Sequence, residues 1–348
     1  MDTILIFLSS GLFLGWSLGA NDAANVFGTA VSTKMLRFKW AAIICSVFLI
    51  IGAVVGGAGA SDTLGKLGSV NAIAGSFTVA LAAGLTLFLM TRTKLPVSTS
   101  QAIVGAIIGW NMFSSLKTDI STLTKIIYTW ILCPVLAAGF GFILYKSIIL
   151  YIRRSKIHMI RIDQYTRIGL VVVGAFGSYS LGANNIANVM GVFVPVSPFK
   201  SIEIGGIAIS ATSILFFIGA LAISLGVFTY SKKVMTTVGS DIFRLSPLDA
   251  LIVVLSSSIV LFIFASEFLQ SFLISNGLPS FPLVPVSSSQ AVVGAIIGIA
   301  IGKGGKNINF NVMGKISIGW VLTPLLSGMI SFILLFFMQN VFMQTVFK

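Results

Sequence analysis

The chain has 348 residues, of which 56% are hydrophobic and 9% charged, with a mean hydropathy of +1.04. Soluble domains carry roughly a quarter charged residues, so this composition excludes a water-soluble enzyme or binding module. A net charge of +13 would suit nucleic acid, but the placement of the basic residues excludes that partner too.

A membrane span needs about 20 mostly apolar residues. Such tracts are read at 4–31, 40–60, 70–90, 97–115 and 126–151, then at 166–194, 203–228, 248–270, 282–302 and 313–342. No basic leader or small-x-small cleavage site marks a removable signal peptide at the first tract. If the N-terminus starts outside and every tract crosses, 17 of the 22 basic residues fall on the inner side, among them Lys34, Arg37, Arg92, Lys94, Lys232, Arg244 and Lys306. The central linker alone holds Arg153, Arg154, Lys156 and Arg161. This is the positive-inside asymmetry, so the charge orients the chain in a lipid bilayer. The expected location is the cell (plasma or inner) membrane, multi-pass, with both termini outside and the linker cytoplasmic.

Two strings recur. Residues 17–28, SLGANDAANVFG, match residues 180–191, SLGANNIANVMG, at nine of twelve positions, and PVSTSQAIVGAIIG at 96–109 matches PVSSSQAVVGAIIG at 285–298 at twelve of fourteen. A weaker echo aligns Trp130 and Pro134 with Trp320 and Pro324. The second half carries about 26 extra residues between its first two motifs. Five tracts per half is an odd number, so the second half enters from the opposite face. The expected fold is all-α: a polytopic membrane protein of two inverted-topology repeats, residues 1–151 and 166–348 around a basic linker at 152–165, with discontinuous or re-entrant helices at the midplane. Inverted repeats of this kind are typical of secondary transporters.

The first motif places Asn21, Asp22 and Asn25 on one helix face. A carboxylate at membrane depth is expensive and usually functional. With Gly19 before it and Gly28 after it, the cluster suggests an unwound stretch whose carbonyls and side chains surround a cation such as Na⁺. The recurrence as Asn184, Asn185 and Asn188 argues against interhelical hydrogen bonding alone. Pro96 followed by Ser98, Thr99, Ser100 and Gln101 reads as a helix start. Its free N–H groups and partial positive charge make an anion site, and Ser287, Ser288, Ser289 and Gln290 repeat it. Glu267, without a first-half twin, is either a further cation or proton site or an interfacial residue. Asp249, after Pro247, reads as a helix-start carboxylate. His158, the only histidine, reads as a solvated loop residue, and Cys45 and Cys133 as buried hydrophobes. No Ser/His/Asp set or Cys/His cluster supports an enzyme, and no cofactor is expected. A passive anion channel favours a continuous pore, whereas this pattern suggests one two-sided site.

The pair GANDAAN and GANNIAN, each followed by a PVSxSQ string, resembles the inorganic phosphate transporter (PiT) family over essentially the whole chain. The resemblance implies inorganic phosphate as substrate, symported with a cation, where the residues alone reach a small oxyanion plus a cation. It also implies a homodimer. Asn185 stands where many members have a second Asp, and Gln101 and Gln290 where many relatives have His. Both departures remove titratable groups and favour Na⁺ as the coupling ion. On this reading Ser98, Thr99, Ser100, Gln101, Ser287, Ser288, Ser289 and Gln290, with Asp22 and Asn25, hold phosphate. Asn21, Asp22, Asn25, Asn184, Asn185 and Asn188, with Glu267, hold Na⁺. An H⁺-coupled phosphate or sulfate symporter of the same broad family is the alternative. Phosphate carries hydrogens to donate and sulfate has none, so an acceptor such as Asp22 favours phosphate.

Overall fold

The computed structural model describes residues 2–92, 97–155, 157–204, 207–238, 245–305 and 310–348. Pro96 and the basic residues Lys94, Lys156, Arg244 and Lys306 lie outside them. In chain order the helices are α1 (Asp2–Ser32), α2 (Phe38–Gly56), α3 (Ala58–Leu67), α4 (Ile73–Arg92), α5 (Thr99–Ser114), α6 (Ile120–Ser155) and α7 (Met159–Met190). A 3₁₀ turn, Gly191–Val196, and a two-stranded antiparallel ribbon, β1 (Ile202–Ile204) with β2 (Ile207–Ile209), follow. Then come α8 (Ala211–Thr229), α9 (Ser231–Val238), α10 (Pro247–Ala265), α11 (Glu267–Ser275), α12 (Ser288–Gly302) and α13 (Phe310–Asn340). Among the described residues the fold is all-α apart from the ribbon.

Among the described residues, seven helices (α2, α4, α6, α7, α8, α10 and α13) are long and apolar enough to cross a membrane. The helices α5 and α12 are shorter, 16 and 15 residues. At 1.5 Å per residue they reach about 24 and 22 Å, less than the roughly 30 Å hydrocarbon core. Each is therefore too short to cross that core alone, and each is the returning arm of a hairpin. The end of α12 meets the start of α10 through an ion pair, Lys303 Nζ to Asp249 Oδ2 at 2.6 Å. The start of α4 meets the end of α5, where a methyl on Gly75 would lie 3.0 Å from Trp110 Nε1. Asp249 also closes a capping box with Ser246 at the head of α10, so it is a helix-start carboxylate with an ion pair added.

Helix starts show where the extra residues went. α2 and α8 begin at 38 and 211, α4 and α10 at 73 and 247, α5 and α12 at 99 and 288, so the offset between halves is 173, 174 and then 189. Against 163 at the first motif, two insertions account for it. One is the 3₁₀ turn and ribbon; the other is α11 with the extended return to Ser287. Glu267 heads α11, which is why it has no twin.

Small residues set the packing. A methyl on Gly19 would lie 1.9 Å from Ile223 O, and one on Gly182 2.1 Å from Leu49 O. Those contacts seat α1 on α8 and α7 on α2. They also overturn the expectation that the first motif is unwound: residues 17–28 and 180–190 are unbroken helix. The glycines serve backbone approach between neighbouring helices, as small residues do in membranes. Gly11 meets Val189 and Phe193, while Gly174 meets Phe27, so α1 and α7, the two motif helices, run antiparallel.

Candidate functional site

The motifs converge where α1 and α7 cross between the N-terminal ends of α5 and α12. Ser98 is the N-cap of α5 and accepts from Gln101 N at 3.3 Å; Ser287 caps α12 and accepts from Gln290 N at 3.2 Å. One orphan donor of each helix is thereby satisfied, and the first-turn amides of Thr99 and Ser100, like those of Ser288 and Ser289, have no acceptor within their own helices. The two helix starts are also tied to each other. Ser100 Oγ donates to Val286 O at 3.0 Å, and Ser289 Oγ donates to Val97 O at 3.3 Å. Val286 is the counterpart of Val97 and Ser289 of Ser100, so these bonds form a two-fold pair.

The first motif closes on this platform unequally. Asp22 is buried and accepts from Ser288 Oγ at 2.6 Å. Its counterpart Asn185 donates to Leu181 O at 3.2 Å and accepts from Asn188 Nδ2 at 3.0 Å. Asn188 also donates to Ser100 Oγ at 2.9 Å. Asn184 grips Val286 through both of its ends, Oδ1 accepting at 2.9 Å and Nδ2 donating at 2.7 Å. Its counterpart Asn21 stays on its own helix, donating to Ser17 O at 2.8 Å. Thr99, the counterpart of Ser288, has no partner for its buried hydroxyl among the described residues.

Four buried side-chain oxygens around this centre have no hydrogen-bond partner among the described residues: Thr99 Oγ1, Gln101 Oε1, Asn188 Oδ1 and Gln290 Oε1. Buried polar groups are almost always paired, so four orphans in one cluster make this the candidate site for a polar ligand. The serine hydroxyls, by contrast, are largely occupied. Ser98 and Ser287 cap helices, Ser100 and Ser289 join them, and Ser288 serves Asp22. Much of the hydroxyl set therefore builds the site, and the unpartnered polar side chains with the free first-turn amides are what it leaves open.

Asn21 and Asn25 are half-buried in the same stretch of α1. Glu267 is not brought to the others: it is exposed at the head of α11, with its Oε1 3.0 Å from where a methyl on Gly59 would stand. Two residues do more than the sequence indicated. Cys133 Sγ donates to the carbonyl of the N-cap Ser287 at 3.7 Å, and His158 caps α7 by accepting from Ile160 N at 3.4 Å.

A helical membrane protein whose buried polar centre is built from two antiparallel helices and two helix N-termini has the architecture of a transporter. The model of the phosphate transporter family matches residues 18–279 and 270–348, and the chain belongs to that family. It is 28% identical over 323 residues to a protein of Methanocaldococcus jannaschii named as a phosphate permease, covering 92% of this chain and 93% of that one. A Bacillus subtilis protein named as a low-affinity inorganic phosphate transporter is 28% identical, over 98% of both chains. The sulfate permease CysP of the same organism is 29% identical, over 93% of this chain and 84% of that one. A solved structure titled as the sodium-dependent phosphate transporter superposes with a TM-score of 0.72 at 23% identity, covering 96% of this chain and 99% of that chain.

Proposed function

We propose that the protein imports inorganic phosphate by symport with Na⁺, through alternating access around the centre between α1, α7, α5 and α12. The observation that carries this is the cluster of four unpartnered buried oxygens beside two helix N-termini and one carboxylate. Free amides and the positive ends of α5 and α12 favour an anion. Asp22 and the amide oxygens of the asparagines are hard ligands suited to a hard cation, by analogy with those of divalent ions. Each ion offsets the other's charge, so each improves the other's site, which is the physical basis of coupling. The relatives named for phosphate and the solved neighbour's title support the same substrate and ion.

The halves, residues 1–151 and 166–348, would be related by inversion across the membrane, with both termini outside and the linker cytoplasmic. Uptake of ³²P-phosphate into proteoliposomes, with and without an imposed Na⁺ gradient, tests the function. Uphill accumulation that needs Na⁺ is expected. Uptake indifferent to Na⁺ and driven by a proton gradient would overturn the coupling. The match to a sulfate permease makes sulfate the rival substrate. Asp22 favours phosphate, because a buried acceptor suits an anion that brings its own hydrogens. Excess unlabelled sulfate is therefore expected to leave phosphate uptake nearly unchanged.

A further inference from the structure

Trp130 and Trp320 occupy the same place in the third repeated string, one helical turn ahead of Pro134 and Pro324. The helix α13 presses so closely on α5 that a methyl on Gly105 would sit 2.1 Å from Pro324 O, and α6 so closely on α12 that one on Gly294 would sit 2.2 Å from Pro134 O. A turn further on, Gly109 meets Gly328 and Gly298 meets Ala138. Each pair of helices therefore runs parallel and in register. A turn back in that register stand Gln101 with Trp320, and Gln290 with Trp130, because residues four apart share a helix face.

All four side chains keep a buried polar atom with no hydrogen-bond partner among the described residues: Oε1 of both glutamines and Nε1 of both tryptophans. The atoms are complementary, since an indole N–H only donates and an amide oxygen only accepts. The coincidence occurs twice, at equivalent places in the two halves. An amide carries its oxygen and its NH₂ on opposite sides. To offer NH₂ to an anion, a glutamine must turn its oxygen toward a donor, and the facing indole is a donor at that level.

We propose that Trp130 and Trp320 are positioning residues of the anion site. With the anion bound, Trp320 Nε1–H donates to Gln101 Oε1 and Trp130 Nε1–H to Gln290 Oε1, which fixes each amide with its NH₂ toward the substrate. Without the indole the amide is free to flip and present an acceptor to the anion. The inference rests on the transport function proposed above.

The test is a double-mutant cycle on reconstituted full-length protein. Trp320→Phe keeps the ring and removes the N–H. It is expected to raise the KM for ³²P-phosphate about tenfold, the scale of one buried hydrogen bond, with the maximal rate changed less than about twofold. Gln101→Ala should raise KM at least as much, and the double variant no more than Gln101→Ala alone. A KM within twofold of wild type in Trp320→Phe, or effects that multiply in the double variant, would overturn the proposal. Trp130→Phe with Gln290→Ala forms the same cycle in the other half and decides the matter if Trp320→Phe does not reach the membrane. Wild type and variants are compared with ³²P-phosphate and ³⁵S-sulfate in parallel. Absence of phosphate uptake by the wild type then counts against the function, while an unchanged KM for the anion it does carry counts against the tryptophans.

Discussion

Asp22 and Thr99 separate function from stability at the level of single atoms. Asp22→Asn keeps an oxygen to accept from Ser288 and nearly the same shape, and removes only the charge. Folding is expected to persist while Na⁺-dependent uptake falls at least tenfold; normal uptake with normal Na⁺ affinity would take Asp22 out of the cation site. Thr99→Val is sharper, because the hydroxyl it removes has no hydrogen-bond partner among the described residues. Deleting an unsatisfied buried polar group is neutral or stabilising, so the melting temperature should hold or rise while the KM for phosphate climbs. A fall in both would mean that Thr99 braces the fold. Asp119 gives a pH dependence outside the spans. It caps the start of α6, accepting from Thr122 Oγ1 at 2.6 Å and Ser121 N at 2.9 Å, and the Thr122 hydroxyl bond, then Ser121, holds its carboxyl down at about 2. A depressed carboxylate stabilises above its unfolded value, about 4, and that contribution is lost as pH falls toward 2. The protection factors of the amides in the first turn of α6, which remove the pH dependence of intrinsic exchange, should fall over that window and stay level above it.

At the scale of helices, the glycines of the repeated strings carry the packing. Gly105→Ala and Gly294→Ala each drive a methyl onto a proline carbonyl at 2.1 and 2.2 Å, where backbone cannot yield locally. The helices must part, and overpacking of this kind costs about 1–3 kcal/mol or more. Each variant should melt earlier in detergent, and Gly65→Ala, where a methyl would meet nothing within 4 Å, should not. Much of this level was legible in the sequence. The tracts, the motif pairs and the serine caps follow from apolar length and from side chains able to accept from a first-turn amide. What was not legible is partner choice. Gly19 reads as a helix breaker beside polar residues, yet it and Gly182 are helix-packing positions, because a glycine's freedom to unwind and its lack of a side chain leave the same mark in a sequence. The orphaned glutamine and indole atoms were invisible too, since only the facing of α5 with α13 and of α6 with α12 brings them level.

At the scale of the whole molecule the two-fold pattern extends to the hairpin bases, where it is again unequal. Asp249 and Lys303 close the hairpin α10–α12 by an ion pair, with Tyr145 of α6 beneath the ammonium at 5.7 Å. At the matching place in α4–α5 stand Gly75 and Ser114, and there the C-terminal tail fills the gap. Trp110 Nε1 donates to Val346 O at 2.9 Å, and Asn71 holds Lys348 by donating to its carbonyl at 2.7 Å and accepting from its N–H at 2.9 Å. The antiparallel course of α1 and α7 supports an inverted relation between the halves, and parity then fixes which surfaces share a side. Residue 117 follows four of the ten apolar tracts, 159 follows five and 344 follows ten, and a hairpin that enters and returns leaves the parity unchanged, so the first and last must agree and the middle one must differ. The two native cysteines are buried, which leaves a quiet background for labelling single cysteines with a membrane-impermeant maleimide. Lys117→Cys and Gln344→Cys are expected to react on intact cells, and Met159→Cys, 83% exposed, only after permeabilisation. The reverse pattern would keep the inversion and flip the orientation inferred from the basic residues. Disagreement between 117 and 344 would mean that one hairpin does not return, and the two helix N-termini could not then meet at one site.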